Sequence, residues 1–211
     1  ASPLSEQVVR FRLDNPLKDR TTGRSIRYLS PPAQCNALFV PEVMNLAGPT
    51  VILTEGEFKA LAAYQRGLPC AAVSGIWNWR SGSDIEGLKK PDRESLIPDL
   101  ERDWSGQNVV LIYDSDITQD HPAYLAFPRL AEQIYARGAE TVRILSLPSI
   151  DVGEDNANGK VGLDDYLSAL EKKGLDGAAS VRSLMQAAPI FVPFEDGSGA
   201  FIDKRMMGAM S

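Results

Sequence analysis

The sequence predicts an α/β protein with a mainly parallel sheet flanked by helices. Three observations carry that expectation. Two apolar runs, Val51-Ile52-Leu53-Thr54 and Val109-Val110-Leu111-Ile112-Tyr113, end abruptly in carboxylates. An apolar run without alternation suits a strand buried on both faces. Between and beyond these runs lie amphipathic helical stripes that stop at glycine, and strands alternating with helices predict βαβ units and a parallel sheet.

The elements follow in order. Val8 to Leu13 alternates apolar with basic residues and reads as a strand with one wet face, with Ser25 to Leu29 as its hairpin partner. Pro31-Pro32 and Gly48-Pro49 bracket an irregular connector. Val51 to Thr54 is the first core strand, and Glu57 to Arg66 a helix with Phe58, Leu61 and Ala62 on one stripe. Gly67 and Pro69 end it. Pro69 to Ser74 forms a second strand and Val109 to Tyr113 a third. Tyr124 to Arg137 is a helix with Phe127, Leu130, Ala131 and Ile134 at core spacing, closed by Gly138. Thr141 to Leu147 is the fourth strand, and Leu163 to Lys173 the last core helix. Val181 to Ala187 reads as helical, and Ile190 to Lys204 as a hairpin around Asp196-Gly197-Ser198-Gly199. The resulting organisation is a β-rich N-terminal element (1–48), an α/β domain (49–175) and a helix-plus-hairpin extension (176–211). A tryptophan-rich, basic insertion (75–107) interrupts the domain and holds Trp77, Trp79 and Trp104.

Bulk properties narrow the function classes. The 211 residues, 44% hydrophobic and 24% charged, are those of a globular chain with one good core. A net charge of −6 argues against a broad basic footprint for nucleic acid, though not against a local one. No apolar stretch approaches the roughly 20 residues that span a bilayer, and the first residues lack the pattern of a signal peptide. Cys35 and Cys70 have neither metal-ligand spacing nor a disulfide framework, so a reducing cytoplasm is the expected setting. The single histidine, His121, excludes a His-rich zinc site and reads as structural or exposed.

The carboxylates are the chemistry-bearing residues. In parallel α/β sheets the ligand crevice lies at the carboxyl ends of the strands. Glu55, Asp114 and Asp116 therefore meet at one rim if their strands are neighbours. Such a cluster repels itself unless a cation neutralises it, and oxygen-only ligands suit Mg²⁺ or Mn²⁺. Asp114 and Asp116, two apart on an extended chain, point the same way and can share one cation or hold two. They can also be plain turn residues, and Glu55 can simply offset a helix dipole. Asp164 and Asp165 open a helix. One caps it, and the other either does the same or adds a carboxylate to the rim. Lys59, one turn after Glu55, either neutralises the site, touches a phosphate or is solvated. Trp77 and Trp79 can stack on unpaired bases, although their alternation turns one of them inward. Arg80, Lys89 and Lys90 are the local candidates for contacts to a nucleic-acid backbone. Residues Glu154 to Asp165 fall near calcium-loop spacing but lack its first Asp and last Glu.

Four blocks in order, Thr54-Glu55-Gly56-Glu57-Phe58-Lys59-Ala60-Leu61, Ser74-Gly75-Ile76-Trp77-Asn78-Trp79, Asp114-Ser115-Asp116 and Gly162-Leu163-Asp164-Asp165-Tyr166-Leu167, resemble the Toprim domain. The likeness is to the uncharacterised Toprim-like type found in replication proteins of plasmids, phages and other mobile elements. It covers roughly residues 8 to 175, with one departure: Val161 separates Lys160 from Gly162. The resemblance implies a Toprim-like fold and a Mg²⁺- or Mn²⁺-dependent enzyme acting on nucleic-acid phosphodiesters in DNA replication, by primase-related nucleotidyl transfer or by nuclease cleavage. It implies Glu55 as the acid–base or metal-binding residue, Asp114 and Asp116 as metal ligands, and a further ligand from the Asp164-Asp165 pair. Its implied partners are single-stranded or primed DNA, nucleotides, and a helicase or primase module. A non-catalytic DNA-binding or docking module of a replication protein is the alternative.

Overall fold

The computed structural model describes residues 9–21, 23, 25–31, 34–81, 96–118, 120–152, 159–194 and 199–202. Within them the chain runs β1 (Phe11–Lys18), β2 (Ser25–Leu29), β3 (Leu38–Phe39), β4 (Thr50–Glu55), α1 (Glu57–Gln65), β5 (Cys70–Val73), β6 (Asn108–Tyr113), α2 (Ala126–Ala136), β7 (Thr141–Ser146), α3 (Leu163–Lys172), α4 (Gly177–Ala187), β8 (Ile190–Pro193) and β9 (Gly199–Ile202). Seven strands form one sheet in the order β3-β5-β4-β6-β7-β8-β9, and β1-β2 stands apart as an antiparallel pair. The α/β class and the parallel centre are as the sequence predicts: β5, β4, β6 and β7 are mutually parallel.

The continuous apolar runs have a direct cause. Alternate residues of each central strand feed two separate cores. Val51 and Leu53 of β4, with Val109, Leu111 and Tyr113 of β6, pack against Phe127, Leu130 and Ile134 of α2. Ile52, Val110 and Ile112 pack on the opposite face with Ala60 and Ala63 of α1, Leu163 and Leu167 of α3, and Val181 of α4. Neither face of these strands sees water, so neither carries a polar alternation.

Several expectations are corrected. Phe58 and Leu61 do not face the core of α1; they are 52% and 37% exposed, and Ala60 and Ala63 are buried instead. Small side chains let α1 approach the sheet, and the larger ones are turned toward the N-terminal hairpin. β1 does not bury an alternating face: it is exposed at nearly every position and extends to Lys18. The described part of the tryptophan-rich insertion packs into the core. Trp79, Leu96, Ile97, Leu100 and Trp104 belong to the same core as α2. The C-terminal hairpin is present as expected, and β8 pairs antiparallel with β7, so it continues the main sheet. The helix expected from Val181 begins earlier, with Asp176 as its N-cap.

One anchoring interaction was not visible in the sequence. The Tyr113 hydroxyl, at the end of β6, accepts the Phe127 N–H at 2.7 Å and donates to the Tyr124 carbonyl at 2.6 Å. It satisfies an orphan amide in the first turn of α2, whose own N-cap, Leu125, has no side-chain acceptor. The strand that carries Asp114 and the helix behind it are thereby fixed to each other.

Candidate functional site

β4 and β6 are adjacent and parallel, with Thr54 in register with Ile112. Glu55 and Asp114 therefore leave the sheet side by side at its carboxyl edge. Gly56 has a φ of +100°, a conformation that L side chains rarely adopt, and its N–H bonds to the Val73 carbonyl at 3.0 Å. That turn starts α1 immediately after Glu55 and places Lys59 over the neighbouring strand.

Asp114 is the buried charge of the rim, only 4% exposed. Lys59 Nζ donates to its Oδ1 at 2.7 Å and to its Oδ2 at 2.6 Å. Lys160 Nζ lies 2.9 Å from the same Oδ2 and 3.4 Å from Oδ2 of Asp116. Burial opposes the Lys160 charge, but its hydrogen bond to Asp114 and the attraction of Asp114, Asp116 and Glu55 outweigh it. The ammonium is held above its ordinary pKa. Two lysines thus serve the carboxylates that the sequence assigns to a cation.

Asp114 and Asp116 are not on one extended stretch. The chain turns after Asp114, with the Ile117 N–H bonded to the Asp114 carbonyl at 3.2 Å, so Asp114 is buried and Asp116 exposed. The intervening Ser115 ties this turn to the segment before α3. Its N–H bonds to the Val161 carbonyl at 3.0 Å, and its hydroxyl accepts the Val161 N–H at 2.8 Å. Val161 itself is buried. The residue separating Lys160 from Gly162 is therefore the one that pins this segment to β6 and delivers Lys160 to Asp114.

The Asp164-Asp165 pair divides its roles. Asp165 accepts the Gly162 N–H at 3.3 Å and acts as a cap. Asp164 turns inward, and its Oδ1 is buried with no hydrogen-bond partner among the described residues. Desolvation, then the charge of Asp165, raises its pKa, offset in part by backbone hydrogen bonds and Lys59. Gly162 is a close approach: a Cβ there would stand 2.7 Å from Asp164 Oδ1 and 2.8 Å from Lys59 Cε. Asp164, Lys59 and Asp114 consequently form one packed corner.

The carboxylate oxygens are the hard donors that Mg²⁺ or Mn²⁺ prefers, and the unpartnered Asp164 oxygen fits the same chemistry. Among the described residues, however, no group of three or more carboxylate, histidine or cysteine side chains already stands in a coordinating arrangement. The lysines hold Asp114 in its place.

The other predicted contacts are distributed differently. Arg80 is stacked on two tryptophans, its Cζ 4.2 Å from the Trp77 ring centre and 4.8 Å from that of Trp79. Trp77 packs half-buried against the core, and Trp79 is fully buried. Lys89, Lys90 and residues 154–158 of the calcium-like spacing lie outside the described residues. His121 is structural, its Nδ1 accepting the Ala123 N–H at 3.1 Å. The sequence reading missed Lys160 as a partner of the rim; its only signal was its closeness to the Gly162 block. No described helix is long and apolar enough to cross a membrane.

No curated protein and no solved structure is significantly similar to the chain. Residues 39–173, which hold Glu55, Lys59, Asp114, Asp116, Lys160 and the Asp164-Asp165 pair, match the family described as Domain of unknown function (DUF3854), and the chain belongs to that family.

Proposed function

We propose that this domain acts on nucleic-acid phosphodiesters with Mg²⁺ or Mn²⁺, by primase-related nucleotidyl transfer within DNA replication. The supporting observation is the meeting of Glu55 and Asp114 at neighbouring parallel strand ends, with two lysines, Lys59 and Lys160, converging on Asp114. The resemblance of the four sequence blocks to Toprim domains supplies the reaction class. In this reading Asp114, Asp116, Glu55 and Asp164 would hold the ion, drawing closer together than they stand among the described residues. A divalent cation held there would neutralise developing phosphate charge. Glu55 takes the proton of the attacking hydroxyl. That oxygen forms its bond to the α-phosphorus as the bond to the pyrophosphate oxygen breaks, and pyrophosphate leaves. Lys59 and Lys160, exchanged off Asp114, face the transferred phosphate.

The same rim serves hydrolytic cleavage when water replaces the hydroxyl. The substrates in this reading are single-stranded or primed DNA and nucleotides, the setting is cytoplasmic, and a helicase or primase module is the working partner. One observation favours a non-catalytic DNA-binding or docking module: both oxygens of Asp114 already carry lysine, so the rim is neutralised without an ion.

A single gel separates these. Labelled single-stranded DNA is incubated with ribo- and deoxynucleotides and Mg²⁺ or Mn²⁺, beside an Asp114→Ala/Asp116→Ala control. Longer products that the control loses are the expected result, and shorter ones establish a nuclease. An unchanged ladder in both lanes overturns the enzymatic reading in favour of the binding module.

A further inference from the structure

A cavity of about 560 Å³ lies between the β1-β2 hairpin and the start of α1, away from the Asp114 corner. Its size is that of a small-ligand pocket, roughly 300–1,000 Å³. Arg10, Arg12, Tyr28 and Phe58 line it, as does Ser74, just past the carboxyl end of β5. Glu57 and Phe58 follow Glu55 by two and three residues, so cavity and rim share one turn of α1.

Two features set this cavity apart. Phe58 is a large apolar side chain left half in water, 52% exposed, on a helix whose buried positions are alanines. The Arg12 guanidinium stands 5.3 Å from its ring centre and makes no hydrogen bond or ion pair among the described residues. Arg10 is the second cation. It stacks on Tyr28 at 4.4 Å and bonds Glu57 at 2.6 Å, which cancels the nearest carboxylate. The other lining carboxylate, Asp99, is engaged by the Leu38 N–H at 2.9 Å. On a chain of net charge −6, the cavity therefore offers one exposed aromatic ring, Phe58, beside a guanidinium with no carboxylate partner among the described residues.

We infer that this cleft binds single-stranded nucleic acid, with a base stacked on Phe58 and the phosphate backbone on Arg12, and that it leads the strand toward the carboxylate rim. Aromatic faces take any base, and guanidinium groups take the phosphates between them. The inference rests on the nucleic-acid reading of the rim but uses none of its residues, so the two fail separately.

The test is fluorescence anisotropy of a labelled oligo-dT with the full chain, without divalent ions. Phe58→Ala and Arg12→Ala are each expected to weaken binding by about tenfold. Arg12→Ala should also lower the salt slope by about one. Glu55→Gln, by contrast, keeps the affinity while abolishing metal-dependent processing. Unchanged affinity in both cleft variants overturns the inference, as does equal affinity for a mononucleotide. Binding that survives while the wild-type chain shows no processing once Mg²⁺ or Mn²⁺ is supplied overturns the enzymatic reading alone. If Phe58→Ala fails to fold, exposed Cys35 at the cavity wall reports instead in the unaltered protein. Oligo-dT should slow its alkylation, and an unaltered rate overturns the cleft assignment.

Discussion

Lys59 is the side chain on which the electrostatics of the rim turn. It donates to both oxygens of a nearly buried aspartate and is itself only 18% exposed. Removing one partner of a buried pair costs about 3–5 kcal/mol, because the charge left behind is desolvated and uncompensated. Lys160 remains on Asp114, which places Lys59→Met at the lower end, about 3 kcal/mol, read as a fall in thermal midpoint. The same variant tests the ion without any assay of activity. A cation that takes Asp114 as a ligand no longer competes with Lys59, so millimolar Mg²⁺ should raise the midpoint of Lys59→Met more than that of the wild type. Equal shifts in the two proteins would remove Asp114 from the ligand set. The placing of Glu55 and Asp114 at one sheet edge was legible because an apolar strand that ends in carboxylates is a pattern of neighbouring positions, whereas the turn that separates Asp116 from Asp114 was not. Lys160 was not, because its placement depends on the Ser115–Val161 hydrogen bonds between segments distant in sequence.

At the level of elements, the strands and helices of the domain follow from periodicity, since each central strand is buried on both faces and each glycine stop is a local signal. The misreading of α1 has a physical origin in side-chain size. The stripe of Phe58, Leu61 and Ala62 and the stripe of Ala60 and Ala63 are both apolar, and only the close packing of helix on sheet selects the smaller one. The early start of α4 was missed for a related reason, since its first turn is Gly177, Ala178 and Ala179, with no large apolar residue to mark it. Its boundary is set by a cap. Asp176 Oδ1 accepts the Ala179 N–H at 2.9 Å. Asp176→Ala should cost about 1 kcal/mol, as expected for losing an N-cap. Urea unfolding should show a lower midpoint with an unchanged slope, and a changed slope would mean that the helix, rather than its first turn, had been lost.

Across the whole molecule, the strand order decides which parts are protected. β5 lies between β3 and β4, with Cys70 wholly buried at its start, whereas Cys35 lies on the exposed connector before β3. The order itself could not be read from the sequence. The β3 edge strand is two residues long, and the antiparallel return of β8 onto β7 leaves no local mark. The thiolate is the reactive form of cysteine, and burial pushes the Cys70 thiol far above its ordinary pKa. Cys70 is therefore both shielded and un-ionised until the sheet opens. Iodoacetamide on the native chain should add one label, at Cys35, while in urea both thiols react. Under native conditions the rate at Cys70 should follow global opening rather than local fraying, because its side chain is wholly buried in the core beneath α1 and its strand pairs with Ile52 of β4. Prompt labelling of Cys70 at the rate of Cys35 would mean that β5 is not held inside the sheet, and with it would go the placement of β4 and Glu55 beside β6.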